Sequence, residues 1–580
     1  MLGRFFGRAG AGAAEEPAPK PFSFPEPLPT WPPGGGFARG RISIGGGELE
    51  LAAATAFEKI CALSPSARLQ QACGVTFYRP TALPDGFSVL GHYCQPNSRP
   101  LHGHLLVARA GADTTRSPLC APRDYELVWA FHASGASRSC SGYGRSDAYF
   151  WLPVPPEGYR ALGFLVTTDA AKPALDDVRC VRADLTDDEC EPHGALLRLQ
   201  LKPQPSSASA SASPAGEAAF VVRGLRPLRR GMREKGIGAG TFSCAVDGRS
   251  PPRGLACLKN VDLDLTAMPT LEQVHAVIKH YGPTLFFHPK EVYLPSSVAW
   301  YFKNGAKLFR KGGGAVGEEI DAEGSNLPGG GWNDGEYWMD LPCDVKRRQE
   351  VCRGDIESAE LYAHVKPAMG GACTDVAMWV FCPFNGPARL KLGMVSMPLG
   401  TTGQHVGDWE HFTLRVSNLT GELMAVYYSQ HSGGRWVDAS ALEYAAGNRP
   451  AVYSSRNGHA SYPYAGVYLQ GSAALGVGIL NDAARSKLYV DSSVKYRIVS
   501  AEYLGDGVVV EPQWLQFMRE WGPTVIYKSK TRMEGTTKRL PLRIRGSAEN
   551  MVSKMPNELS KEEGPTGPKE KNMWEGDERW

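Results

Sequence analysis

Two carboxylates and two imidazoles lie within seven residues of an apolar, aromatic-rich stretch, the sequence HVGDWEH at residues 405–411. If residues 408–416 form a β-strand, the alternation of side chains places Asp408 and Glu410 on one face and Trp409 on the other. Two neighbouring carboxylates repel each other unless a cation or a proton offsets their charge. His405 can fold over the same face from the turn at residues 401–407. The pattern therefore predicts a divalent-cation site with nitrogen and oxygen ligands.

Two further histidines are candidate ligands of the same ion. His431 and His459 each follow a predicted strand and lie in a turn of small residues, so their side chains can project at the same end of a sheet. Oxygen ligands favour calcium or magnesium, whereas imidazoles favour zinc or manganese, and the choice among these four stays open. The alternative interpretation is a hydrogen-bonded polar ladder at a strand end, with ordinary turn histidines beside it.

The composition indicates which elements must position these residues. The chain has 580 residues, several times the length of a common domain, so more than one core is expected. Its 66 glycines and 44 prolines are too many for a helical protein and favour short strands joined by turns. We expect a mainly β protein with a prism-like repeat β-module at residues 22–260, followed by a β-sandwich with a few helices at residues 265–545. Residues 1–21 are expected to be disordered and residues 546–580 to form a charged tail.

An internal duplication defines the N-terminal module. Four identical residues and one aromatic pair recur 72 positions apart: Pro84/Pro156, Gly86/Gly158, Phe87/Tyr159, Leu90/Leu162 and Gly91/Gly163. Each copy predicts a strand, a proline-glycine turn and a second strand, and a weaker third copy begins at residues 219–227. Three such units would suit a prism-like assembly. Residues 203–216 are low in complexity and predict an insertion loop.

Turn signals and short alternating segments predict the C-terminal sandwich. Residues 268–282 predict an amphipathic helix that Thr270 or an adjacent residue caps and that Gly282 ends. Five strands are predicted at residues 377–381, 412–416, 423–428, 496–499 and 507–510.

Charge and hydropathy exclude several partners. With 63 basic and 60 acidic residues the chain lacks the electrostatic footprint of a nucleic-acid-binding protein. Arg4 and Arg8 interrupt any apolar signal core at the N-terminus, which predicts an intracellular protein. The uncharged run at residues 457–481 is long enough to span a bilayer, but its polar residues and glycines favour strands, so no transmembrane segment is expected.

Several motifs together resemble the vacuolar protein sorting-associated protein 62 family, including its plant members. They are FFHPKEVYLP at residues 286–295, GDWEH at 407–411, YSQHS at 428–432, RPAVY at 449–453 and NGHASY at 457–462. The resemblance implies a part in protein delivery to the vacuole, without an agreed enzymatic activity. It also implies trafficking proteins or a membrane surface as partners, and a cytoplasmic location peripheral to vacuolar or endosomal membranes.

The 405–411 motif is also similar to the GHxHDWE sequence of secreted necrosis-inducing proteins. In that family the first histidine, the aspartate and the glutamate hold a divalent cation in a β-sandwich, and they match His405, Asp408 and Glu410. Gly407 stands where that family has its second histidine, and the upstream carboxylate ligand would fall on Met397. Cytolytic activity is not expected here.

These observations predict a non-enzymatic interaction protein with a structural cation. The chain lacks the sequence motifs of a nucleophile elbow, a phosphate-binding P-loop and an HExxH metalloprotease. Two alternatives stay open. One is a metal-dependent hydrolase of unknown substrate, and the other is a lectin-like or membrane-binding module suggested by fold analogy alone.

Overall fold

Most of the chain folds into short antiparallel sheets, so the prediction of a mainly β protein is confirmed. The structure, a computed structural model, describes residues 21–65, 74–112, 114, 116–133, 142–144, 146–201, 219–246, 254–392, 395–431, 433–472, 477–526, 545–546, 561–562 and 564–578. The low-complexity run at 203–216 and residues 1–20 lie outside the described residues, so the predictions made for them stay predictions.

The N-terminal region contains three units, each built from two small sheets. The first unit has the strands Ile42–Ile44, Leu49–Ala53, Leu106–Ala110 and Ser88–Val89 in one sheet and Gly142–Tyr143, Ala56–Pro65, Val75–Thr81 and Tyr93–Pro96 in the other. The second unit has Leu165–Thr167, Ala148–Val154 and Asp124–Phe131, and then Tyr159–Arg160, Cys180–Arg182 and Leu119–Cys120. The third unit has Cys190–Gln200, Ala219–Pro227 and Phe242–Val246, and then Thr186–Asp187, Cys257–Lys259 and Gly236–Ile237.

The duplicated glycines form equivalent turns. Gly86 and Gly158 have φ angles of 78° and 79°, a backbone conformation that favours glycine. A hydrogen bond of 3.0 Å from Phe87 N to the Pro84 carbonyl closes the first turn, and its counterpart from Tyr159 closes the second at 3.1 Å. The spacing of 72 residues therefore reflects two turns of the same type.

The three units share one apolar core. The rings of Phe77 and Phe150 lie 5.1 Å apart between centroids, and those of Phe150 and Phe220 lie 4.9 Å apart. Gly91 also packs so closely on the third unit that an added Cβ would lie 2.8 Å from the Thr241 methyl. The three units thus pack together, while the third repeat copy and the prism-like arrangement stay predictions.

A six-stranded sheet forms the centre of the C-terminal region. In spatial order its strands are Gly433–Asp438, Leu423–Gln430, His405–Ser417, Cys373–Asn385, Leu361–Ala368 and Tyr496–Ala501, and only the last pair is parallel. We call His405–Ser417 the motif strand, because it carries the HVGDWEH sequence. A second sheet contains Tyr444–Ala446, Arg449–Ser454, Ser461–Tyr462, Thr284–Phe286 and Tyr489–Asp491.

Smaller elements complete this region. A four-stranded sheet contains Val395–Pro398, Arg389–Leu392, Val477–Ala483 and Gly466–Ser472. The remaining strands are Glu318–Glu319, Lys307–Arg310 and Tyr337–Asp340 in one sheet and Val525–Ile526 and Lys561–Glu562 in another. The α-helices among the described residues are Leu271–Tyr281, Val298–Lys303 and Val345–Cys352.

The helix Leu271–Tyr281 confirms the capped helix that the sequence predicts. The Thr270 hydroxyl accepts the Gln273 backbone N–H at 3.2 Å, and the Gln273 side chain accepts the Thr270 N–H at 3.3 Å. This reciprocal pair satisfies two donors that a helix start leaves free. The spacing predicts an apolar face of Leu271, Val274, Val277 and Ile278. The last three of these residues are buried, as is Tyr281, whereas Leu271 is half-buried.

Four of the five predicted C-terminal strands are present, and the fifth prediction is wrong. Residues 507–510 form no strand. Val508 and Val510 expose 83% and 84% of their surface, so this apolar run makes no pleated contact with a sheet.

The motif strand is covered on both faces. Phe412, Leu414 and Val416 join the apolar core on one face, together with Trp31 and Phe37 from the N-terminal end of the chain. Trp409 joins a second aromatic cluster on the other face that includes Trp379, Trp521 and Trp574. Residues 564–578 thus contribute to the outer covering of the sheet. None of the helices in the described part of the chain combines the length and apolarity needed to cross a membrane.

Candidate cation site

A cavity of about 390 Å³ lies beside the start of the motif strand. Four of the five residues that the sequence predicts as ligands line this cavity: His405, Asp408, Glu410 and His431. Its other polar lining residues include Asn385, Arg389, Ser429, Arg456, Asn481 and Lys571. The fold thus brings together residues that are up to 240 positions apart, from Asn333 to Met573.

The motif strand places the two acidic side chains on one face, as the alternation predicts. Its antiparallel partner is Cys373–Asn385, with Asp408 opposite Cys382 and Glu410 opposite Val380. Both carboxylates lie on the strand face whose later residues, Phe412, Leu414 and Val416, fill the apolar core. Asp408 is buried and Glu410 is half-buried.

A glycine within the motif is required by the fold. Gly407 has a φ of 66°, and a Cβ at this position would overlap the Trp521 carbonyl oxygen. Neither the backbone conformation nor the space suits a larger residue. The histidine that the necrosis-inducing motif has at this position is thus excluded here on steric grounds.

Asp408 forms a buried ion pair with His459. The Asp408 carboxylate accepts a hydrogen bond of 2.7 Å from Nδ1, while Nε2 donates to the Tyr293 carbonyl at 2.9 Å. Both partners are acceptors, so His459 carries a proton on each nitrogen. Burial by itself lowers the pKa of His459, but the Cys382 sulfur and the Asp408 carboxylate outweigh burial and hold it well above its usual range.

His459 therefore orients Asp408 in this geometry, with both of its ring nitrogens already in hydrogen bonds. Burial raises the pKa of the Asp408 carboxyl, and the hydrogen bond from His459 more than compensates, so that the pKa lies below its usual range. Direct ligation by His459 stays a prediction.

Unlike Asp408, neither Glu410 nor His405 is hydrogen-bonded to a side chain of opposite charge among the described residues. Burial, followed by the charge of Asp408, raises the pKa of Glu410 well above its usual range, against the charges of His459 and Lys571 and a hydrogen bond with Ser429. His405 Nδ1 is buried and has no hydrogen-bond partner among the described residues. Burial also lowers the pKa of His405. The imidazole is therefore neutral and keeps a lone pair that can bind a metal ion.

His431 contributes to the opposite wall of the cavity. Its Nε2 lies 3.0 Å from Asn481 Oδ1, and its backbone φ of 42° lies in the left-handed region. His459 shares this feature with a φ of 51°. A non-glycine residue in this conformation costs of order 1–3 kcal/mol and persists where the surroundings hold it in place.

The donor types of His405, Asp408 and Glu410 suit a divalent cation, although their ligand atoms do not form a cluster within 4.8 Å of one another. His405 offers a free imidazole nitrogen, Asp408 retains a second carboxylate oxygen beyond its bond to His459, and Glu410 faces the same cavity. One nitrogen with carboxylate oxygens is a ligand set that calcium, magnesium, manganese and zinc all accept. This chemistry does not choose among them.

Several residues of the site are missed by sequence reasoning. Cys382 offers a sulfur within 4.8 Å of the ligand atoms of Asp408 and His459, and Lys571 reaches the cavity from the C-terminal tail. Neither lies in a recognisable motif. The position of Cys382 at the site depends on the register between its strand and the motif strand. The position of Lys571 depends on how residues 564–578 pack, and the local sequence indicates neither.

The described residues thus form a mainly β protein with a buried, acidic, histidine-containing site. The family model described as vacuolar protein sorting-associated protein 62 matches residues 18–578, and the chain belongs to this family. The family resemblance drawn from the five motifs is therefore confirmed.

Two proteins of Saccharomyces cerevisiae are similar to the chain. TDA6 is 24% identical over 331 residues, which is 48% of this chain and 66% of TDA6. Vacuolar protein sorting-associated protein 62 is 24% identical over 279 residues, which is 42% of this chain and 58% of that protein. The chain therefore spans less than two thirds of the length of either relative.

A solved structure of Necrosis and Ethylene inducing Protein 2, from the causal agent of witches' broom disease of cocoa, is also similar. The match has 18% identity and a TM-score of 0.17, and it covers 31% of this chain and 76% of that chain. A TM-score this low carries no argument about the fold or the site of the present chain.

Proposed function

We propose that this chain is a non-enzymatic interaction protein of the vacuolar sorting pathway, stabilised by a divalent cation that His405, Asp408 and Glu410 bind. Family membership over residues 18–578 supports the pathway, as do the names of both yeast relatives. The cation rests on one observation above all. A buried, unpartnered imidazole nitrogen lines the same cavity as two carboxylates on one strand face.

A cation accounts for the acidic pair better than a hydrogen-bonded ladder does. His459 forms an ion pair with Asp408, whereas the charges of His459 and Lys571 and the hydrogen bond with Ser429 do not outweigh burial and the charge of Asp408 at Glu410. The raised pKa of Glu410 reflects this imbalance of buried negative charge. A divalent ion beside both carboxylates would neutralise this excess negative charge and would also bind the lone pair of His405.

We assign the proposed cation a structural role. The proposed binding partners are other molecules that contact the surface of the chain. The ligands of the cation lie on a strand inside the sheet, where a bound ion stabilises the fold directly. Trafficking proteins or a membrane surface would be the binding partners, with the chain in the cytoplasm at vacuolar or endosomal membranes. This part of the proposal rests on the family alone.

Metal analysis of the purified full chain tests the cation. The protein is equilibrated separately with calcium, magnesium, manganese and zinc, dialysed, and its metal content measured. We expect His405→Ala and Glu410→Gln each to lose one bound equivalent relative to the unaltered chain. His132→Ala is the matched control, because His132 pairs with Asp147 at 3.1 Å on the exposed surface. Equal metal content in all four proteins would contradict the proposal.

The same Glu410→Gln variant separates a structural ion from a catalytic one. A structural role predicts a lower Tm in the presence of the metal and no change in any hydrolytic activity. A metal-dependent hydrolase would instead lose turnover while its Tm is retained. Screening the unaltered chain against ester, phosphoester and glycoside substrates supplies the activity to be compared.

The sorting role has its own test. Host cells that lack the chain are expected to release vacuolar hydrolases into the medium, and the unaltered chain should restore their retention. Normal retention of these hydrolases without the chain would contradict the proposed pathway while leaving the cation site unaffected.

A further inference from the structure

A second cluster of metal-binding side chains lies where the N-terminal region meets the C-terminal sandwich. His102 and His104 belong to the segment between strands Tyr93–Pro96 and Leu106–Ala110, and Asp438 ends strand Gly433–Asp438 at the edge of the six-stranded sheet. The three ligand atoms lie within 4.8 Å of one another, although 334 positions separate His104 from Asp438. These residues share no member with the cavity at the motif strand.

Two of the three separations between the ligand atoms match those of a tetrahedral metal site. His102 Nδ1 lies 3.4 Å from Asp438 Oδ1 and 3.2 Å from His104 Nε2. Both distances exceed the 2.9–3.0 Å or so that is most common for hydrogen bonds with nitrogen donors. A tetrahedral zinc ion with bonds of about 2.0–2.1 Å separates its ligand atoms by about 3.3 Å.

The ligands are held in place by surrounding groups. The His102 backbone N–H donates to Gln95 Oε1 at 3.2 Å, and the Tyr93 hydroxyl donates to the His102 carbonyl at 3.2 Å. The Ser440 N–H donates to Asp438 Oδ1 at 2.9 Å, while Arg99 pairs with the other oxygen, Oδ2, at 3.0 Å. Such outer contacts fix the orientation of ligands before a metal binds.

The site is poorly solvated. Only 8% of the His102 side chain and 18% of the Asp438 side chain are exposed, and the Phe22 ring lies 4.8 Å from the His102 ring.

We propose that His102, His104 and Asp438 bind a zinc-class divalent metal that joins the N-terminal repeat region to the edge of the C-terminal sheet. Two imidazoles and one carboxylate form a ligand set that suits zinc. Water or the Ser440 hydroxyl, which contacts Asp438 Oδ1, would take the fourth position. Because the ligands come from both regions, the metal stabilises the contact between them.

Cobalt titration of the full chain tests this site, since cobalt in a tetrahedral site absorbs visible light. The His405→Ala chain serves as the background, so that the cavity at the motif strand does not contribute. We expect one equivalent of cobalt to bind with visible absorption, and zinc to displace it. Adding His104→Ala or Asp438→Asn should weaken binding by more than about 100-fold, beyond the roughly 10–100-fold that loss of an outer partner costs. Adding His132→Ala should change nothing.

Two results would overturn the proposal. One is an absence of tetrahedral absorption in both the His405→Ala chain and the unaltered chain. The other is cobalt binding that survives His104→Ala or Asp438→Asn. Far-UV circular dichroism checks that each variant is folded. If His104→Ala does not fold, the test relies on Asp438→Asn, because asparagine keeps the size of the side chain and its hydrogen bond with Ser440. A negative result for the site at His102, His104 and Asp438 would not contradict the proposed cation site at His405.

Discussion

At the scale of the single residue, Gly407 sets the local geometry of the candidate site. Its positive φ turns the chain immediately before Asp408, and the absence of a side chain lets the backbone approach Trp521. The residue type therefore follows from backbone conformation and space. It also explains why this chain departs from the longer histidine-containing motif that it resembles.

Gly407→Ala is expected to destabilise the protein through two separate effects. The left-handed backbone costs an alanine roughly 1–2 kcal/mol, and displacing the Trp521 backbone costs a further 1–3 kcal/mol or so. Gly400→Ala is the matched control, since Gly400 has a φ of 64° with no atom near an added Cβ. Chemical denaturation measures the loss of unfolding free energy in each of the two variants. Equal losses in the two variants would show that the approach of Trp521 is unimportant.

At the scale of the element, the motif strand is stabilised by buried charge pairs on its outer face. Arg415 binds both oxygens of Asp375 on the neighbouring strand at 2.8 Å each and Asp577 of the tail at 2.8 Å. Asp375 and Arg415 are direct cross-strand partners. Burial still raises the pKa of Asp375, against the nearby Arg415 charge, which shows how poorly solvated this face is.

Arg415→Ala is expected to cost about 3–5 kcal/mol of unfolding free energy, because it leaves the buried Asp375 carboxylate without its counter-charge. Arg160→Ala is the control. Arg160 pairs with Asp188 on the surface, where such pairs contribute about 0–1 kcal/mol. Urea denaturation of both variants makes the comparison. A loss below 1 kcal/mol for Arg415→Ala would mean that tail or solvent rearrangement compensates the charge.

At the scale of the whole molecule, both ends of the described chain pack on the C-terminal sandwich. Trp31 and Phe37 lie in its inner core, and residues 564–578 cover the outer face of its main sheet. Lys571 of this tail also lines the cation cavity. Tail docking is therefore coupled to the electrostatics of the candidate site, through the positive charge of Lys571 beside two carboxylates.

Tail docking is expected to weaken as the pH falls below about 4. Glu578 bonds with His411 at 2.9 Å, and Asp577 with Arg415 and Arg230 at 2.8 Å each. Burial opposes ionisation of both carboxylates, but these partners outweigh it and lower the pKa of each below the ordinary 4.5 and 3.8. A lowered folded-state pKa stabilises docking above the ordinary values, and this contribution is lost as pH falls through the lowered values.

Hydrogen exchange of residues 564–578 between pH 7 and pH 3, corrected for the intrinsic exchange rate, measures this loss. The variant Asp577→Asn with Glu578→Gln should exchange faster at pH 7 and show little further change on acidification. Far-UV circular dichroism identifies global unfolding. Tail protection that is independent of pH, with the remainder of the chain folded, would contradict the proposed role of the two carboxylates.

The sequence predicts features that depend on local physics. The helix Leu271–Tyr281 follows from its capping residues and apolar spacing, and the turns at Gly86 and Gly158 follow from repeated proline and glycine. The shared face of Asp408 and Glu410 follows from strand alternation alone. The predicted strand at residues 507–510 fails because β-branched residues favour a strand only where a neighbouring strand can pair with them.

The mainly β class, the 72-residue duplication, the family and the position of the acidic motif can be read from the chain directly, since each depends on residue type and short spacing. The pairing of His459 with Asp408, the approach of Lys571 to the cavity and the contact of His102 with Asp438 become visible only in the folded protein. Those contacts join residues 51 to 336 positions apart. Strand register and the docking of distant segments fix them, through the burial of surfaces that no local pattern encodes.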